Sequence, residues 1–371
     1  MKISILCPGL GHINRGFETF AQELAASLAD QPGLLVRVVA GRPIPPPGSF
    51  VPYLKRTGAT ARMLAKLTHR DPYFIEQATF ALAMVPQLLA TKPNVIVTSD
   101  GALCNQLARI RRFLGLKFRI LFSNGGPYSP PYPAADHIHQ VLCSEAEKAL
   151  KTGHPAERQG FIPYGFNIDQ SLRGLTALEK EQERQRLGLP LGRKIVVSVG
   201  AINRSHKRMD YLVAEIAQLP PEERPFVVML GQPDDETPTV LEMADEKIGS
   251  AGYVARQVTA TEVRRYLRAA DVFVLCSLAE GFGRVIVEAL AEGLPCILHD
   301  APFAREVGGS FATLVNQSQI GGLAGALSSI FAEIALPSEA QARHEYAYRT
   351  FSWDSLASCY VEIITQCARE A

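Results

Sequence analysis

Net charge is almost absent from this chain: 38 Lys and Arg stand against 37 Asp and Glu in 371 residues, and charged residues make up only 20%. That balance excludes a supercharged nucleic-acid binder, and a 47% apolar composition excludes disorder. Paired cysteines are lacking too. The seven present (Cys7, Cys104, Cys143, Cys276, Cys296, Cys359 and Cys367) are odd in number and scattered, with no C-x-x-C and no His/Cys ligand cluster. A disulfide-stapled scaffold and a zinc centre are thereby excluded, and buried thiols in a reducing compartment are expected. The apolar opening, residues 3–7, stops at Pro8 and Gly9. It is too short for a signal-peptide core or a membrane span, so a cytoplasmic location is expected.

What the chain does have is a repeated strand-then-helix pattern. Residues 3–7 form an apolar run, Pro8-Gly-Leu-Gly-His-Ile-Asn14 a Gly-marked turn, and Phe17, Phe20, Leu24 and Leu28 a helical face; residues 34–40 are the next apolar run. This is a βαβ unit, hence a parallel sheet buried on both faces. Strands are expected over 94–98, 118–122 and 140–143, a helix over 103–114, and a connector over 160–170. The pattern restarts with strands over 194–199, 226–230, 272–276 and 296–298. At roughly 150 residues per domain, two α/β domains are expected, 1–165 and 166–354, with a terminal helix over about 355–371 returning to the first. Ligands of doubly wound sheets sit beyond the carboxyl ends of the strands, so two such halves facing one another would form an interdomain cleft.

The neutrality is also an average. Residues 1–165 carry 18 Lys/Arg and 10 Asp/Glu, whereas residues 166–371 carry 20 and 27.

The most informative stretch runs from Ser277 to Pro295, directly after the apolar run 272–276. It sets Glu280 in a loop softened by Gly281 and Gly283, and Glu288 about one turn into the helix that follows. Phe282, Gly283 and Arg284 stand where a helix N-terminus offers N–H groups to an anion, and a diphosphate would suit that end. Glu288 can accept both hydroxyls of a ribose.

Glu280 and Glu288 match the E-x7-E motif, and at this point the sequence resembles the retaining glycosyltransferases of the GT-B fold, especially glycosyltransferase family 4. Gly252-Tyr-Val, Tyr266-Leu-Arg-Ala-Ala-Asp271 and Phe273-Val-Leu-Cys-Ser277 look like the approach to that motif, and Leu294-Pro-Cys-Ile with Glu306-Val-Gly308 like its exit. Ile162-Pro-Tyr-Gly-Phe-Asn-Ile-Asp169 is similar to the interdomain segment, and Phe351-Ser-Trp353 to the start of the terminal helix. The resemblance implies that Glu280 contacts the transferred sugar and Glu288 the ribose. An isolated E-x7-E is more often a pair of solvated helix-end carboxylates; the flanking matches reverse that weighting.

After the run 194–199 the turn Gly200–Asp210 gathers Arg204, His206, Lys207 and Arg208. Cations at a strand's carboxyl end can hold a diphosphate. In the resembling family an Arg and a Lys of this loop grip the donor diphosphate. Lys207 matches the Lys; the usual Arg after the glycine is Ala201 here, and Arg204 is the substitute. Both are taken, with Glu280, as the catalytic set, while His206 and Arg208 read as surface.

In the first half, Gly9-Leu-Gly-His-Ile-Asn-Arg-Gly16 lacks the G-x-G-x-x-G spacing, which disfavours NAD binding. The resemblance brings the Gly11 backbone to the donor phosphates and His12 to the acceptor or donor, or makes His12 a general base if the enzyme inverts. Asp100 is an acceptor contact or a helix cap, and Asn124 the nearest polar residue to the donor sugar. Lys55, Arg56, Arg62, Lys66 and Arg70, then Arg109, Arg111, Arg112, Lys117 and Arg119, concentrate the positive charge. With Leu54, Met63, Leu64, Leu67, Phe113 and Leu114 between them, they would suit an anionic membrane surface or an ordinary solvated face.

The expected reaction is sugar transfer with retention from a nucleoside diphosphate sugar to an acceptor hydroxyl of a glycan or glycolipid. No cofactor, metal site or nucleic-acid partner is expected, since Asp234-Asp235 lacks the spaced D-x-D pattern. The alternatives are an inverting GT-B transferase, a nucleotide-sugar hydrolase or epimerase, and a noncatalytic sugar-nucleotide-binding module.

Overall fold

The computed structural model describes residues 1–11, 16–44, 48–126, 128–333 and 336–369. The chain divides into two compact units, Met1–Asn167 with Phe351–Ala371, and Ile168–Thr350. Each is an α/β unit on a single parallel sheet. The first contains β1 (Lys2–Cys7), β2 (Leu35–Ala40), β3 (Ser49–Phe50), β4 (Val95–Thr98), β5 (Arg119–Asn124), β6 (His137–Gln140) and β7 (Gln159–Phe161), in the order β3-β2-β1-β4-β5-β6-β7. The second contains β8 (Ile195–Val199), β9 (Phe226–Leu230), β10 (Tyr253–Arg256), β11 (Val272–Leu275), β12 (Cys296–His299) and β13 (Ala312–Val315), in the order β10-β9-β8-β11-β12-β13. The doubly wound expectation holds in both units.

The central strands are mostly apolar because helices cover both faces of each sheet. All four residues of β11, Val272 to Leu275, are at most 1% exposed. Around them a core forms from Val196, Val227, Val274 and Ile297 together with Leu212 and Ile216 of helix Met209–Gln218. In the first unit the equivalent core joins Leu6, Ile96, Ile120 and Phe122 to Phe80, Met84 and Leu107.

Strand order reverses beside β1 in the first sheet and beside β8 in the second. At such a switch point the loops leaving two adjacent strands diverge, and a crevice opens at their carboxyl ends. In the second unit those strands are β8 and β11, paired through Val272 and Phe273 with Val196 and Val197. The sheet order alone therefore puts the Lys207 loop next to the Glu280 loop.

One expected strand is displaced. Residues 140–143 were expected to be extended, but β6 is His137–Gln140, and Cys143 opens the helix Cys143–Lys151. The displaced assignment followed the apolar residues Val141 and Leu142, whereas the strand is polar and still fully buried. Its side chains find partners inside: Ser123 bonds His139 Nδ1 at 3.0 Å, and Gln140 donates to Gln159 Oε1 at 3.1 Å.

The chain returns to the first unit through a short bridge. Phe166 N–H donates to Phe351 O at 2.8 Å, and Trp353 N–H to Phe166 O at 3.1 Å. The single tryptophan then lies on Gly165, where a Cβ would come within 2.5 Å of its ring. Helix Trp353–Arg369 adds Tyr360 to an aromatic cluster around Phe20 and Tyr164. No described helix is long and apolar enough to cross a membrane.

Candidate active site

The turn after β8 is shaped by residues that the sequence did not single out. Asn203 Oδ1 accepts the N–H groups of His206 (3.3 Å) and Lys207 (2.8 Å), and Asn203 Nδ2 donates to Asp234 Oδ2 at 2.8 Å. Glu236 Oε2 takes the N–H groups of Arg204 and Ser205 at 2.7 and 2.8 Å, and these bonds hold the Glu236 carboxyl below the ordinary carboxylate range. Asp234 is thus part of the scaffold under the turn. An Asn three residues before a helix-bound turn is a recognisable local signal. Glu236 gives no such signal, because its partners are about thirty residues away.

Lys207 leaves this turn over Gly200. A Cβ on Gly200 would lie 2.7–2.8 Å from the Lys207 side-chain carbons, so only glycine leaves room for the stem. Beneath it, a Cβ on Gly231 would sit 1.7 Å from Gly200 O, so the two glycines let β8 and β9 end in direct backbone contact. The ammonium donates to Glu280 Oε1. The pair is largely enclosed, with side-chain exposures of 16% for Lys207 and 9% for Glu280. His206 Nε2 stands 3.9 Å from the other carboxylate oxygen.

Lys207 and Glu280, from two neighbouring strand ends, thus converge, while His206 stays exposed, as the sequence reading has it, at the edge of the pair. Arg204 is placed differently. It is mostly exposed, with its guanidinium 3.4 Å from Asp210. Arg208 departs from the surface reading: it is half-buried, and its Nη1 donates to Gln317 O at 2.7 Å.

Gly283 adopts φ +80° and precedes helix Arg284–Ala291. That positive φ, which L side chains rarely adopt, is what calls for glycine at this helix start. Phe282 is buried beside it at 3% exposure, Arg284 is the first helical residue, and Glu288 is half-buried on the same helix. Glu280 therefore lies just before a positive helix end.

In the first unit, Gly11 has φ +86° and packs against the Arg42 backbone side, its notional Cβ 3.3 Å from Arg42 Cβ. His12 lies outside the described residues. Asp100 caps helix Gly101–Leu114 by accepting the Leu103 N–H at 2.9 Å, and its second oxygen accepts the Tyr73 hydroxyl. Burial, and then the neighbouring Asp100 carboxylate, push the Tyr73 phenol far up. Asn124 ends β5 rather than starting a loop, and it is 1% exposed. Its amide donates to Gln140 Oε1 at 2.8 Å and Tyr128 O at 3.0 Å, and its oxygen accepts the Tyr128 N–H at 2.9 Å. Asp100 thus makes the helix cap, one of its two expected roles, and Asn124 ties the Tyr128 loop to β6.

Among the described residues no cluster of three or more His, Cys, Asp or Glu is arranged to hold a metal ion. What the converging pair can do is present a fixed cation and a fixed carboxylate a few ångströms apart, in a setting dry enough for both to act at full strength.

Residues 179–350 match the family Glycosyl transferases group 1. The chain is 27% identical over 253 residues to the D-inositol 3-phosphate glycosyltransferase of Xylanimonas cellulosilytica, covering 64% of this chain and 58% of that one. It is 28% identical over 187 residues to the lipopolysaccharide core biosynthesis glycosyltransferase LpsE of Rhizobium meliloti, covering 49% and 53%. The chain spans about half the length of these curated relatives. In fold it is similar to a sucrose-phosphate synthase from Thermosynechococcus elongatus, with TM-score 0.78, 20% identity and 98% of both chains covered. It is also similar to Anabaena Alr3699/HepE in complex with UDP and glucose, with TM-score 0.74, 17% identity and 98% and 99% covered. The chain has the GT-B fold, and its second unit, over residues 179–350, is a Glycosyl transferases group 1 domain.

Proposed function

We propose that this protein transfers a sugar, with retention at the anomeric carbon, from a nucleoside diphosphate sugar to an acceptor hydroxyl. The observation that carries the reading is the meeting of Lys207 and Glu280 at the carboxyl ends of β8 and β11, beside the helix start at Gly283. As the bond between the anomeric carbon and the phosphate oxygen breaks, its electron pair passes to the diphosphate, where the Lys207 ammonium neutralises the growing charge. The helix end after Gly283, with Phe282 and Arg284, adds a fixed dipole on the same side. Glu280 orients the sugar by accepting its hydroxyls, and Glu288 does the same for the ribose. The acceptor oxygen bonds to the anomeric carbon on the face the diphosphate leaves, and the acceptor proton goes to the departing phosphate oxygen. Arg204 joins only by leaving Asp210, so Lys207 is the principal cation of the clamp. The scheme uses no metal and no cofactor.

Because the structurally similar HepE is described in complex with UDP and with UDP-glucose, uridine donors are the first to try, followed by GDP- and ADP-sugars. A donor present at about 100 times its Kd stabilises the folded chain by about 2.7 kcal/mol, readable as a rise in Tm. If no nucleoside diphosphate sugar raises Tm, the reading fails. Product anomeric configuration by NMR then tests retention, and an inverted product would discard that part.

The acceptor is best sought at an anionic surface. Helix Ala59–Thr68 exposes Arg62, Met63, Lys66 and Leu67 together, and helix Gly101–Leu114 exposes Arg109, Arg112 and Phe113. Arg111 and Arg119 do not contribute, being paired with Asp136. Binding to phosphatidylglycerol vesicles in low salt, weakened by Arg62→Glu with Lys66→Glu, is the expected result; equal sedimentation with neutral vesicles counts against it.

A further inference from the structure

We propose that Arg208 is a positioning residue that clips the Lys207 turn to the Glu280 loop from below; the assignment rests on the donor-site reading given above. Arg208 has φ +51°, one of three described non-glycine residues with positive φ, and the other two, His69 and Lys92, close helix C-termini. Arg208 instead opens a helix, Met209–Gln218, in a conformation that any residue with a Cβ disfavours. Glycine would adopt it freely, so the arginine side chain must do something that outweighs the backbone cost.

Its partners show what that is. Nη1 donates to Gln317 O at 2.7 Å, just after β13, and reaches Cys276 O at 3.4 Å, just after β11 and four residues before Glu280. The guanidinium carbon lies over the Tyr211 ring, 4.4 Å from its centre. One cation thus joins three strand ends: its own turn after β8, the Glu280 loop and the segment after β13.

The same helix face continues the hold. The Tyr211 hydroxyl donates to Gln319 O at 2.8 Å, and the fully buried Glu215 carboxylate accepts the N–H groups of Gly321 (2.6 Å) and Ala324 (2.8 Å). Residues 208, 211 and 215 are spaced to lie on one side of a helix. Only Arg208 among them also touches the Glu280 loop, so Tyr211 and Glu215 secure the β13 segment while Arg208 ties that segment and the Glu280 loop to Lys207. A side chain that sets the distance between two binding groups acts on affinity through them, without touching the ligand.

The test uses the full chain, with UDP, GDP and ADP as calorimetric probes and Tm recorded alongside. Whichever probe binds wild type most tightly is carried forward. R208G is expected to weaken it at least tenfold, and low-millimolar guanidinium, compared with sodium chloride at equal ionic strength, is expected to restore most of the loss. Y211F, which removes the bond to Gln319 O and leaves the contact with Cys276 O, is expected to bind within twofold of wild type. Should R208G unfold, R208K carries the same question, since its shorter cation cannot span both carbonyls, and at least threefold weakening is expected. Wild-type-like binding by R208G (or by R208K in its place), loss in Y211F as large as in the arginine variant, or failure of guanidinium to rescue R208G overturns the proposal. If wild type binds none of the three probes, the donor-site reading fails first and the role of Arg208 falls with it.

Discussion

Lys207→Ala is expected to lower sugar transfer by ~10²–10³-fold, the range seen when one fixed group that stabilises developing charge is removed. The expectation follows from how completely the turn commits this side chain. Its N–H is held by Asn203, its stem crosses Gly200 where no Cβ fits, and its ammonium ends on Glu280. A lysine so constrained loses little freedom on meeting a diphosphate, which makes its charge effective at the moment of bond cleavage. The substitution also leaves the Glu280 carboxylate, with only 9% of its side chain exposed, without its nearest cation. A loss of about 1–3 kcal/mol in stability should accompany the loss of activity, so kcat is to be measured well below the variant's Tm. Glu280→Gln separates the two effects: it removes the carboxylate and leaves the cation. If Lys207→Ala transfers sugar at more than a tenth of the wild-type rate while folded, leaving-group stabilisation by Lys207 is wrong.

The second large effect is on stability and comes from His139 in the first unit. Burial lowers its pKa to about 4, against the carbonyl of Ile162, which favours the protonated ring, and with the nearby His137 lowering it further. The Ile162 carbonyl, 2.7 Å away, requires Nε2 to donate, which leaves Nδ1 to accept the Ser123 hydroxyl at 3.0 Å, so the neutral ring is satisfied on both sides. In the unfolded chain the same imidazole takes up a proton near pH 6.5. Below that pH the unfolded state binds a proton that the native state does not, so stability falls as pH drops from about 6.5 and levels off near 4. The full loss is about 3 kcal/mol.

Carboxylates act in a different window. Asp136 and Asp271 are partly buried, which opposes ionisation, but Arg111 and the Ile120 N–H at Asp136, and Lys180 and Arg184 at Asp271, hold both below the usual carboxylate range. Their contribution is present above pH ~4 and is lost only as pH falls through those lowered values. Urea unfolding at pH 7.5, 6 and 5 therefore separates histidine titration from that of the carboxylates, and a substitution assigns it to His139. His139→Gln should be less stable at pH 7.5 and lose less between pH 7.5 and 5 than wild type. Equal slopes for the two chains would remove His139 as the cause.

Much of this arrangement can be read from residue order, and the reason differs from place to place. The strands β8, β9 and β11 announce themselves because both faces are covered and every position but Ser198 is apolar. Gly283 and Glu280 are legible because a positive-φ glycine before a helix is a local requirement. β6 escapes recognition because its partners are polar and distant, so a buried strand reads as a surface one. Asn124 and Asp100 look available in sequence and are spent on Gln140, Tyr128, Tyr73 and Leu103 once the chain is folded. His206, Arg208 and Glu236 carry no distinguishing neighbours at all; what they do depends on Glu280, Gln317 and the Arg204 turn.

The near-absence of net charge only excluded partners; the alternation of apolar runs with helical faces and the spacing from Glu280 to Glu288 determined the two α/β units and the likeness to a glycosyltransferase family, because periodicity, glycine placement and motif spacing are properties of contiguous chain. The resemblance picked out Lys207, and tertiary structure decided what sets it apart from its basic neighbours at Glu280. Lys207, Arg204, His206 and Arg208 are near-equivalent as a basic run, and they part company only when β8 and β11 become neighbours, Gly200 opens a path for one stem, and Asp210 and Gln317 claim two of the others. Charge is a property of a residue, but the partner that gives it a role comes from residues up to about a hundred positions away, brought within hydrogen-bond distance by the sheet order.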